Sequence, residues 1–123
     1  MEAVRARQVL VVDDEAFVRI AMAGLFACLG HTVVAAQGGP EALELLRGGL
    51  EPDLVVMDLC RPGMDGEEAL LRLRRLRHAV PVLLASGAED ERNERILRQY
   101  PNVAVVMKPF SLTAIKAKLA RLP

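Results

Sequence analysis

The sequence has few cysteines, no excess of charge and no long apolar run, and each shortage argues against a class of protein. The spacing of its two cysteines, Cys28 and Cys60, suggests neither a zinc site nor a disulfide framework. The 16 Lys and Arg residues balance the 16 Asp and Glu residues, whereas proteins that bind nucleic acid are normally basic. No apolar run approaches the roughly 20 residues that span a bilayer, and the N-terminus does not resemble a signal peptide. We therefore expect a cytoplasmic protein, in a reducing compartment, that binds neither nucleic acid directly nor membranes.

What the sequence does contain is a regular alternation of short apolar segments and amphipathic helices. With 123 residues, of which 52% are hydrophobic, the chain is large enough for one domain with its own core. The predicted strands are 8–12, 32–36, 54–58, 82–85 and 103–107, and the predicted helices are 16–29, 40–47, 67–77, 89–98 and 112–122. Strands that are apolar throughout, rather than alternating, indicate a sheet covered on both faces. The prediction is one α/β domain, residues 1–123, with a doubly wound five-stranded parallel sheet and helices on both faces.

Polar side chains stand at the ends of four predicted strands. Asp13 and Asp14 follow the first strand, and Asp58 ends the third. Ser86 follows the fourth strand, and Lys108 follows the fifth. A parallel sheet gathers the carboxyl ends of its strands at one edge, where open α/β sheets bind ligands. We therefore expect these five side chains to share one site.

The acidic residues at this edge favour a magnesium site. Three carboxylates in one pocket repel one another unless a cation relieves the crowding. Mg²⁺ suits oxygen ligands in a small open site because it keeps several of its waters. A carboxylate beside Mg²⁺ can act as a nucleophile toward a phosphoryl group, and Ser86 and Lys108 supply a hydroxyl and a cation for the phosphoryl oxygens. The strand ends therefore indicate the chemistry of an acyl phosphate.

Four segments, in this order, resemble the receiver domain of bacterial two-component response regulators: VLVVDDE, DLVVMDLCRPGMDG, VLLASG and VMKPF. The resemblance covers about residues 7–122 and implies a flavodoxin-like (βα)5 fold. It also implies that Asp58 is the phospho-acceptor, which takes its phosphoryl group from the phosphohistidine of a histidine kinase or histidine phosphotransfer protein. The domain would be a signalling switch that catalyses only its own phosphorylation and dephosphorylation, and not a metabolic enzyme. Whether it stands alone or is part of a longer regulator or hybrid kinase stays open.

The resemblance also assigns the ligands of the expected Mg²⁺. Asp14 and Asp58 would bind the ion directly, and Asp13 would help through a water molecule. The third protein ligand would be the backbone carbonyl two residues after the acceptor, which belongs to Cys60. The thiol of that cysteine would then have no need to bind metal.

The remaining implied roles concern the response to the phosphoryl group. Ser86 would be the switch hydroxyl, and Lys108 would contact the phosphoryl group. The sequence departs from the family at Val105, because an aromatic residue usually stands three positions before the lysine. A valine cannot reproduce the inward swing of that aromatic, so we expect the output to be weakened or carried by other parts of the domain.

The first predicted helix has two apolar stripes, where a surface helix normally has one. The stripe assigned to the core consists of Val18, Ala21, Met22, Leu25 and Leu29. The opposite stripe consists of Ala16, Ile20, Ala23, Gly24 and Ala27. An exposed apolar stripe suggests a contact surface, and in the resembling family this helix commonly docks the histidine-bearing helices of the partner. The alternatives are a homodimer through the same stripe and the simple preference of alanine for helices.

Two other helices are predicted to present charged, solvated faces, which make poor apolar interfaces. The fourth begins with the charged segment 89–95. The third carries a basic cluster that consists of Arg72, Arg74, Arg75 and Arg77. Such clusters are usually exposed helix faces, so we expect no nucleic acid to bind there.

Two other functions share part of this chemistry or fold. A Mg²⁺-dependent phosphatase of the haloacid-dehalogenase kind also forms an aspartyl phosphate, but its nucleophile lies in an Asp-x-Asp motif on the first strand. Here the acids that end the first strand are adjacent. A flavodoxin-like flavin binder needs a phosphate loop rich in hydroxyls and glycine, where this chain has the acidic segment 13–15. Phosphoryl acceptance is therefore the leading hypothesis, and the phosphatase is the alternative.

Overall fold

Short apolar strands alternate with helices along the whole described part of the chain. The structure, a computed structural model, describes residues 7–58, 66–76, 79–87 and 91–107, together with Thr113, Ala114 and Ala117. The strands are β1 (Gln8–Val12), β2 (Thr32–Ala36), β3 (Leu54–Asp58), β4 (Val82–Ser86) and β5 (Val103–Met107). The helices are α1 (Ala16–Cys28), α2 (Gly39–Arg47), α3 (Gly66–Leu76) and α4 (Glu91–Gln99). Every one of these elements was predicted, with bounds within two residues.

The five strands form one parallel sheet in the order β2-β1-β3-β4-β5. This confirms the predicted sheet. Thr113, Ala114 and Ala117 are helical, but most of the predicted fifth helix, 112–122, lies outside the described residues. Among the helices that the structure describes, none has the length and apolar character needed to cross a membrane.

Alternate strand residues enter two separate hydrophobic cores, one on each face of the sheet. Leu10 and Val12 pack with α2, α3 and α4, whereas Val9 and Val11 pack with α1 and with Ala114. β3 and β4 are buried along their full length, which is why their sequences show no alternation of apolar and polar residues. Helices therefore cover both faces, as the sequence predicts.

Helix α1 is rotated slightly from the predicted orientation. Phe26 is fully buried, although the predicted core stripe omits it, and Ala21 is exposed, although the stripe includes it. Met22 is the other fully buried residue of the helix. At about 100° per residue, Phe26 lies about 40° from Met22 around the helix axis, whereas Ala21 lies about 100° away. The assignment of Ala21 to the core is therefore wrong.

Arg74 contradicts the prediction that the basic cluster of α3 is solvated. Its side chain is buried (8% exposed). Its Nη1 donates to the backbone carbonyl of Val80 at 2.7 Å, and its Nη2 donates to those of Pro101 at 2.7 Å and Asn102 at 3.3 Å. Burial lowers the pKa of the guanidinium, but an arginine stays charged in proteins. Arg74 therefore joins α3 to the loops that precede β4 and β5.

Asn102, in the loop before β5, also contacts the loop before β4. Its φ of 56° lies in the left-handed region, which asparagine tolerates better than most residues. Its side-chain nitrogen donates to the carbonyl of Ala79 at 3.0 Å. Asn102 and Arg74 thus link the two loops at the amino ends of β4 and β5, far from the carboxyl ends where the candidate site lies.

His31 gives the fold a pH-dependent contact at the amino end of β1. Its Nδ1 accepts a hydrogen bond from the backbone N–H of Arg7 at 3.1 Å. Burial, and next the charge of Arg7, lower the pKa of His31 below its usual 6.5, against a weaker opposing effect of Asp53. A lowered pKa means that protonation is harder in the folded state than in the unfolded state. The stability contribution is therefore present above about pH 6.5 and is lost as the pH falls through the folded-state pKa.

We expect the unfolding temperature to decrease when the pH is lowered from 7.5 to 5.5. The decrease is expected to be smaller in His31→Asn. The asparagine oxygen can accept the same hydrogen bond but does not titrate. The measurement is the unfolding temperature of both proteins at matched pH values, by circular dichroism. Parallel pH profiles for the two proteins would assign the dependence to other groups.

Candidate functional site

Two buried carboxylates lie side by side at the carboxyl edge of the sheet. The last paired residues of β1 and β3 are Val12 and Met57, and Asp13 and Asp58 come directly after them. Both side chains are buried, with 4% and 7% of their surfaces exposed. They line one small cavity of about 10 Å³, with apolar residues of α1, β1, β3 and β4. A cavity of that size holds about one water molecule, so Asp13 and Asp58 stand around a confined space.

Backbone hydrogen bonds fix the position of Asp13. Its N–H donates to the carbonyl of Ala36 at 3.1 Å, and its Oδ1 accepts from the N–H of Glu15 at 2.9 Å. The Nη1 of Arg19, on α1, donates to the backbone carbonyl of Asp13 at 2.8 Å. The sequence analysis did not find this role of Arg19, although it is the only charged residue within the helix. Hydrogen bonds to β2 and from α1 therefore fix the loop after β1.

Asp14 differs from its neighbour, because its side chain is exposed. The structure thus brings Asp13 and Asp58 into one cavity and places Asp14 at the surface beside them. In the part of the chain that the structure describes, no group of three His, Cys, Asp or Glu side chains is arranged to hold a metal ion. Cys60, whose backbone carbonyl is a predicted ligand, lies outside the described residues.

Ser86 stands on the next strand of the same edge. Asp58 pairs with Ala85 in the β3–β4 register, so Ser86 is one position further along. Its hydroxyl donates to Oδ1 of Asn93, on α4, at 3.3 Å, and both side chains are buried. Asn93 was missed by the sequence analysis. The available signal was its spacing of three residues from buried Ile96, which places the two on one face of the helix.

Lys108 lies outside the described residues, directly after the last residue of β5. That last residue, Met107, pairs with Ser86. Val105, where the family usually has an aromatic residue, is partly buried against the core. The structure therefore describes three of the five predicted strand-end side chains at one edge of the sheet as buried groups: Asp13, Asp58 and Ser86.

The outer face of α1 exposes large apolar side chains. Ile20 is 69% exposed and Phe17 is 86% exposed. Of the other residues in the predicted outer stripe, Ala16, Gly24 and Ala27 are exposed and Ala23 is half-buried. The sequence analysis missed Phe17, which lies three residues before Ile20 and therefore near it on the helix surface. This face is apolar and solvent-exposed from Ala16 to Ala27.

Comparison with known proteins gives consistent results. Residues 9–120 match the family described as "Response regulator receiver domain". The chain is 40% identical over 84 residues to "Regulator of RpoS" from Escherichia coli strain K12, covering 68% of this chain and 25% of that protein. It is 34% identical over 116 residues to "Response regulator MprA" from Mycobacterium sp. strain KMS, covering 94% and 50%. The chain thus spans between a quarter and a half of the length of these two relatives.

A solved structure agrees on the fold. The chemotaxis protein CheY4 of Vibrio cholerae superposes with a TM-score of 0.84 at 22% identity, covering 97% of this chain and 100% of that chain. These comparisons give no support to a haloacid-dehalogenase phosphatase. The family match covers β1 from Val9 onward, the other four strands in full and both buried aspartates. The chain therefore belongs to the receiver domain family of two-component response regulators.

Proposed function

We propose that the domain accepts a phosphoryl group on Asp58 from the phosphohistidine of a histidine kinase or histidine phosphotransfer protein. The observation that carries this proposal is the cavity that Asp58 shares with Asp13, beside Ser86 on the neighbouring strand. Asp58 is buried beside this small cavity, and a hydroxyl stands one position further along the neighbouring strand. The domain would then act as a switch in a cytoplasmic phosphorelay, in which phosphorylation changes its protein contacts. It would not be an enzyme that turns over a metabolite.

The donor set fits Mg²⁺. Asp13 and Asp58 are buried at the ends of neighbouring strands, and the exposed Asp14 follows Asp13 directly in the chain. Asp14, Asp58 and the backbone carbonyl of Cys60 would bind the ion directly, and Asp13 would help through a water molecule, because Mg²⁺ needs few protein ligands and keeps several waters. When bound, Mg²⁺ supplies positive charge that neutralises the phosphoryl oxygens. Two carboxylates in a confined site also have a physical reason to bind a cation, since it relieves their repulsion.

Different residues of the chain have different roles in the transfer of the phosphoryl group. A carboxylate oxygen of Asp58 forms the bond to phosphorus while the phosphorus–nitrogen bond of the partner's phosphohistidine breaks, and its electron pair returns to the imidazole. Ser86 and Lys108 then donate hydrogen bonds to the phosphoryl oxygens. Asp13 would help to bind the cation through a water molecule, and the hydrogen bonds from Arg19 and to Ala36 position its loop.

The direct test is covalent labelling. The protein is incubated with Mg²⁺ and a small phosphodonor such as acetyl phosphate, and its intact mass is measured. We expect a gain of one phosphoryl group per chain, located by fragmentation on the peptide that contains Asp58, and no gain when the Mg²⁺ is chelated. Rapid turnover of varied phosphomonoesters without a covalent species would overturn the proposal in favour of a phosphatase.

The exposed face of α1 is the proposed docking surface for the histidine-bearing partner. We expect Ile20→Glu to slow phosphotransfer from a phosphorylated histidine kinase by about tenfold or more, because a buried charge at the centre of an apolar contact is costly. The kinase is chosen by its ability to label the wild-type chain. Labelling by the small phosphodonor is expected to be unchanged, since Ile20 is exposed and does not line the cavity.

Leu97→Glu is the matched control, because Leu97 is an exposed leucine on a different helix. It is expected to leave both reactions unchanged. Sedimentation of wild type and Ile20→Glu separates a partner surface from a homodimer surface. Equal phosphotransfer rates in wild type and Ile20→Glu, together with equal self-association, would remove α1 from the proposal.

A further inference from the structure

Arg19 connects helix α1 to the peptide bond between the two adjacent acids. Its Nη1 donates to the backbone carbonyl of Asp13 at 2.8 Å. That carbonyl belongs to the peptide unit that joins Asp13 to Asp14, and a peptide unit is planar. The hydrogen bond from Arg19 therefore fixes the direction in which the chain enters Asp14.

The position of the Asp14 carboxylate depends on this backbone. The side chain is exposed, and it has no hydrogen bond or ion pair within the part of the chain that the structure describes. Asp13, by contrast, is buried, and its Oδ1 accepts from the N–H of Glu15. Loss of the hydrogen bond from Arg19 would therefore affect the carboxylate of Asp14 more than that of Asp13.

We propose that Arg19 is a positioning residue for the cation, which holds the peptide before Asp14 so that the Asp14 carboxylate is oriented to bind Mg²⁺. This inference rests on the proposed function, in which Asp14 is a direct ligand of the ion. Groups that orient metal ligands without touching the metal typically change metal affinity by about 10- to 100-fold. Arg19 acts through one peptide of a loop that keeps its other hydrogen bonds. We therefore expect a smaller effect, of about three- to tenfold.

The charge of Arg19 and its hydrogen bond act on the cation in opposite directions. A guanidinium near the site repels Mg²⁺, so removal of the charge alone would tighten binding. The side chain is only half-buried, so water and salt screen this repulsion. The hydrogen bond is short and comes from a charged donor, which is the stronger kind. We therefore expect the loss of orientation to outweigh the relief of repulsion.

The test is a titration of the full chain with MgCl₂ alone, in wild type and in Arg19→Met. Methionine keeps the apolar part of the side chain but has no hydrogen-bond donor and no charge. We expect the dissociation constant of Mg²⁺, measured by calorimetry, to rise about three- to tenfold. The Mg²⁺ concentration for half-maximal labelling by acetyl phosphate is expected to rise by the same factor. The labelling rate at saturating Mg²⁺ is expected to fall by less than about twofold, because the change concerns binding of the ion and not the transfer step.

Two further variants separate orientation from charge. Arg19→Lys keeps the charge and a donor, and the contact joins one nitrogen to one carbonyl oxygen. Lysine can replace such a contact, so its dissociation constant is expected to stay within about twofold of the wild type. Arg47→Met makes the same change at the exposed end of α2. Because α2 begins after the carboxyl end of β2, Arg47 lies toward the other end of the sheet, and this control is expected to bind Mg²⁺ as the wild type does.

Thermal unfolding without Mg²⁺ measures any general loss of stability in the Arg19 variants. Arg19→Ala gives the same expectation for Mg²⁺ binding as Arg19→Met if methionine does not fit. A loss of stability that leaves the dissociation constant unchanged would assign Arg19 a structural role only.

The outcomes distinguish this inference from the proposed function. An unchanged or lower dissociation constant in Arg19→Met would overturn the role of Arg19 and leave phosphoryl acceptance intact. Binding as weak in Arg19→Lys or Arg47→Met as in Arg19→Met would overturn it as well. A wild type that binds Mg²⁺ but gains no phosphoryl group would overturn phosphoryl acceptance, while calorimetry still decides the role of Arg19. A wild type that binds no Mg²⁺ would overturn the cation site, and the inference with it.

Discussion

The Asp58→Asn variant is expected to gain no phosphoryl group under conditions that fully label the wild-type chain. An amide cannot form the acyl phosphate, because its nitrogen and oxygen are poor nucleophiles compared with a carboxylate. The neighbouring carboxylate does not replace it, since the Oδ1 of Asp13 already accepts the N–H of Glu15 in a loop fixed by further hydrogen bonds. The measurement is the intact mass of both proteins after equal incubation with Mg²⁺ and the phosphodonor.

The same variant is expected to be as stable as the wild type, or more stable, in the absence of Mg²⁺. Asp13 and Asp58 are both buried around one small cavity, and removal of one negative charge relieves their repulsion by on the order of 1 kcal/mol. For a domain of this size, that corresponds to a rise of about 3–6 °C in the unfolding temperature. Added Mg²⁺ is expected to stabilise the wild type and to have much less effect on Asp58→Asn.

Asp53→Asn is the matched control for the labelling experiment. Asp53 precedes the same strand at its other end, is exposed, and accepts the N–H of Gln8 at 2.8 Å. An asparagine oxygen can keep that hydrogen bond, so labelling and fold are expected to be preserved. Labelling of Asp58→Asn at the wild-type level would place the acceptor elsewhere in the chain.

The positions of the elements and of the buried acids could be predicted because they depend on local pattern and on one topological rule. Apolar segments of about five residues, separated by helices, predict strands wherever they occur. Once the sheet is parallel, the carboxyl ends of the strands must meet at one edge. Asp13, Asp58 and Ser86 follow from these two steps without any knowledge of the side-chain packing.

The polar residues that are buried by distant partners could not be predicted in this way. The side chain of Arg74 is buried because the carbonyls of Val80 and Pro101 converge on it from two loops. Asn93 is buried because α4 docks on the end of β4, where Ser86 meets it. In both cases, the helix pattern alone describes a charged or polar residue on a solvated helix, and the tertiary contact decides its burial.

The Arg74→Met variant is expected to lose about 2–4 kcal/mol of unfolding free energy, which lowers the midpoint of thermal unfolding by about 6–24 °C for a domain of this size. Methionine keeps the apolar stem of the side chain but removes the guanidinium. A buried charge is not stabilising in itself, and an apolar replacement of all partners can be neutral. Here the carbonyls of Val80, Pro101 and Asn102 lose their hydrogen-bond donor and are not themselves replaced. The substitution is therefore expected to destabilise the fold. The measurement is thermal and urea unfolding followed by circular dichroism.

Arg72→Met separates this effect from the loss of a positive charge on α3. Arg72 lies two residues away, is 47% exposed and pairs with Glu68 at 2.9 Å. An exposed pair at this spacing contributes about 0.3–0.5 kcal/mol, so the control is expected to unfold within about 3 °C of the wild type. Both variants change the net charge by the same amount and replace the same side chain in the same helix.

A similar small loss in Arg74→Met would show that water satisfies the three carbonyls, and that the junction of α3 with the loops before β4 and β5 does not depend on the guanidinium. A large loss confined to Arg74 would show that one buried side chain holds together the amino ends of β4 and β5, the two strands whose carboxyl ends lead to Ser86 and Lys108.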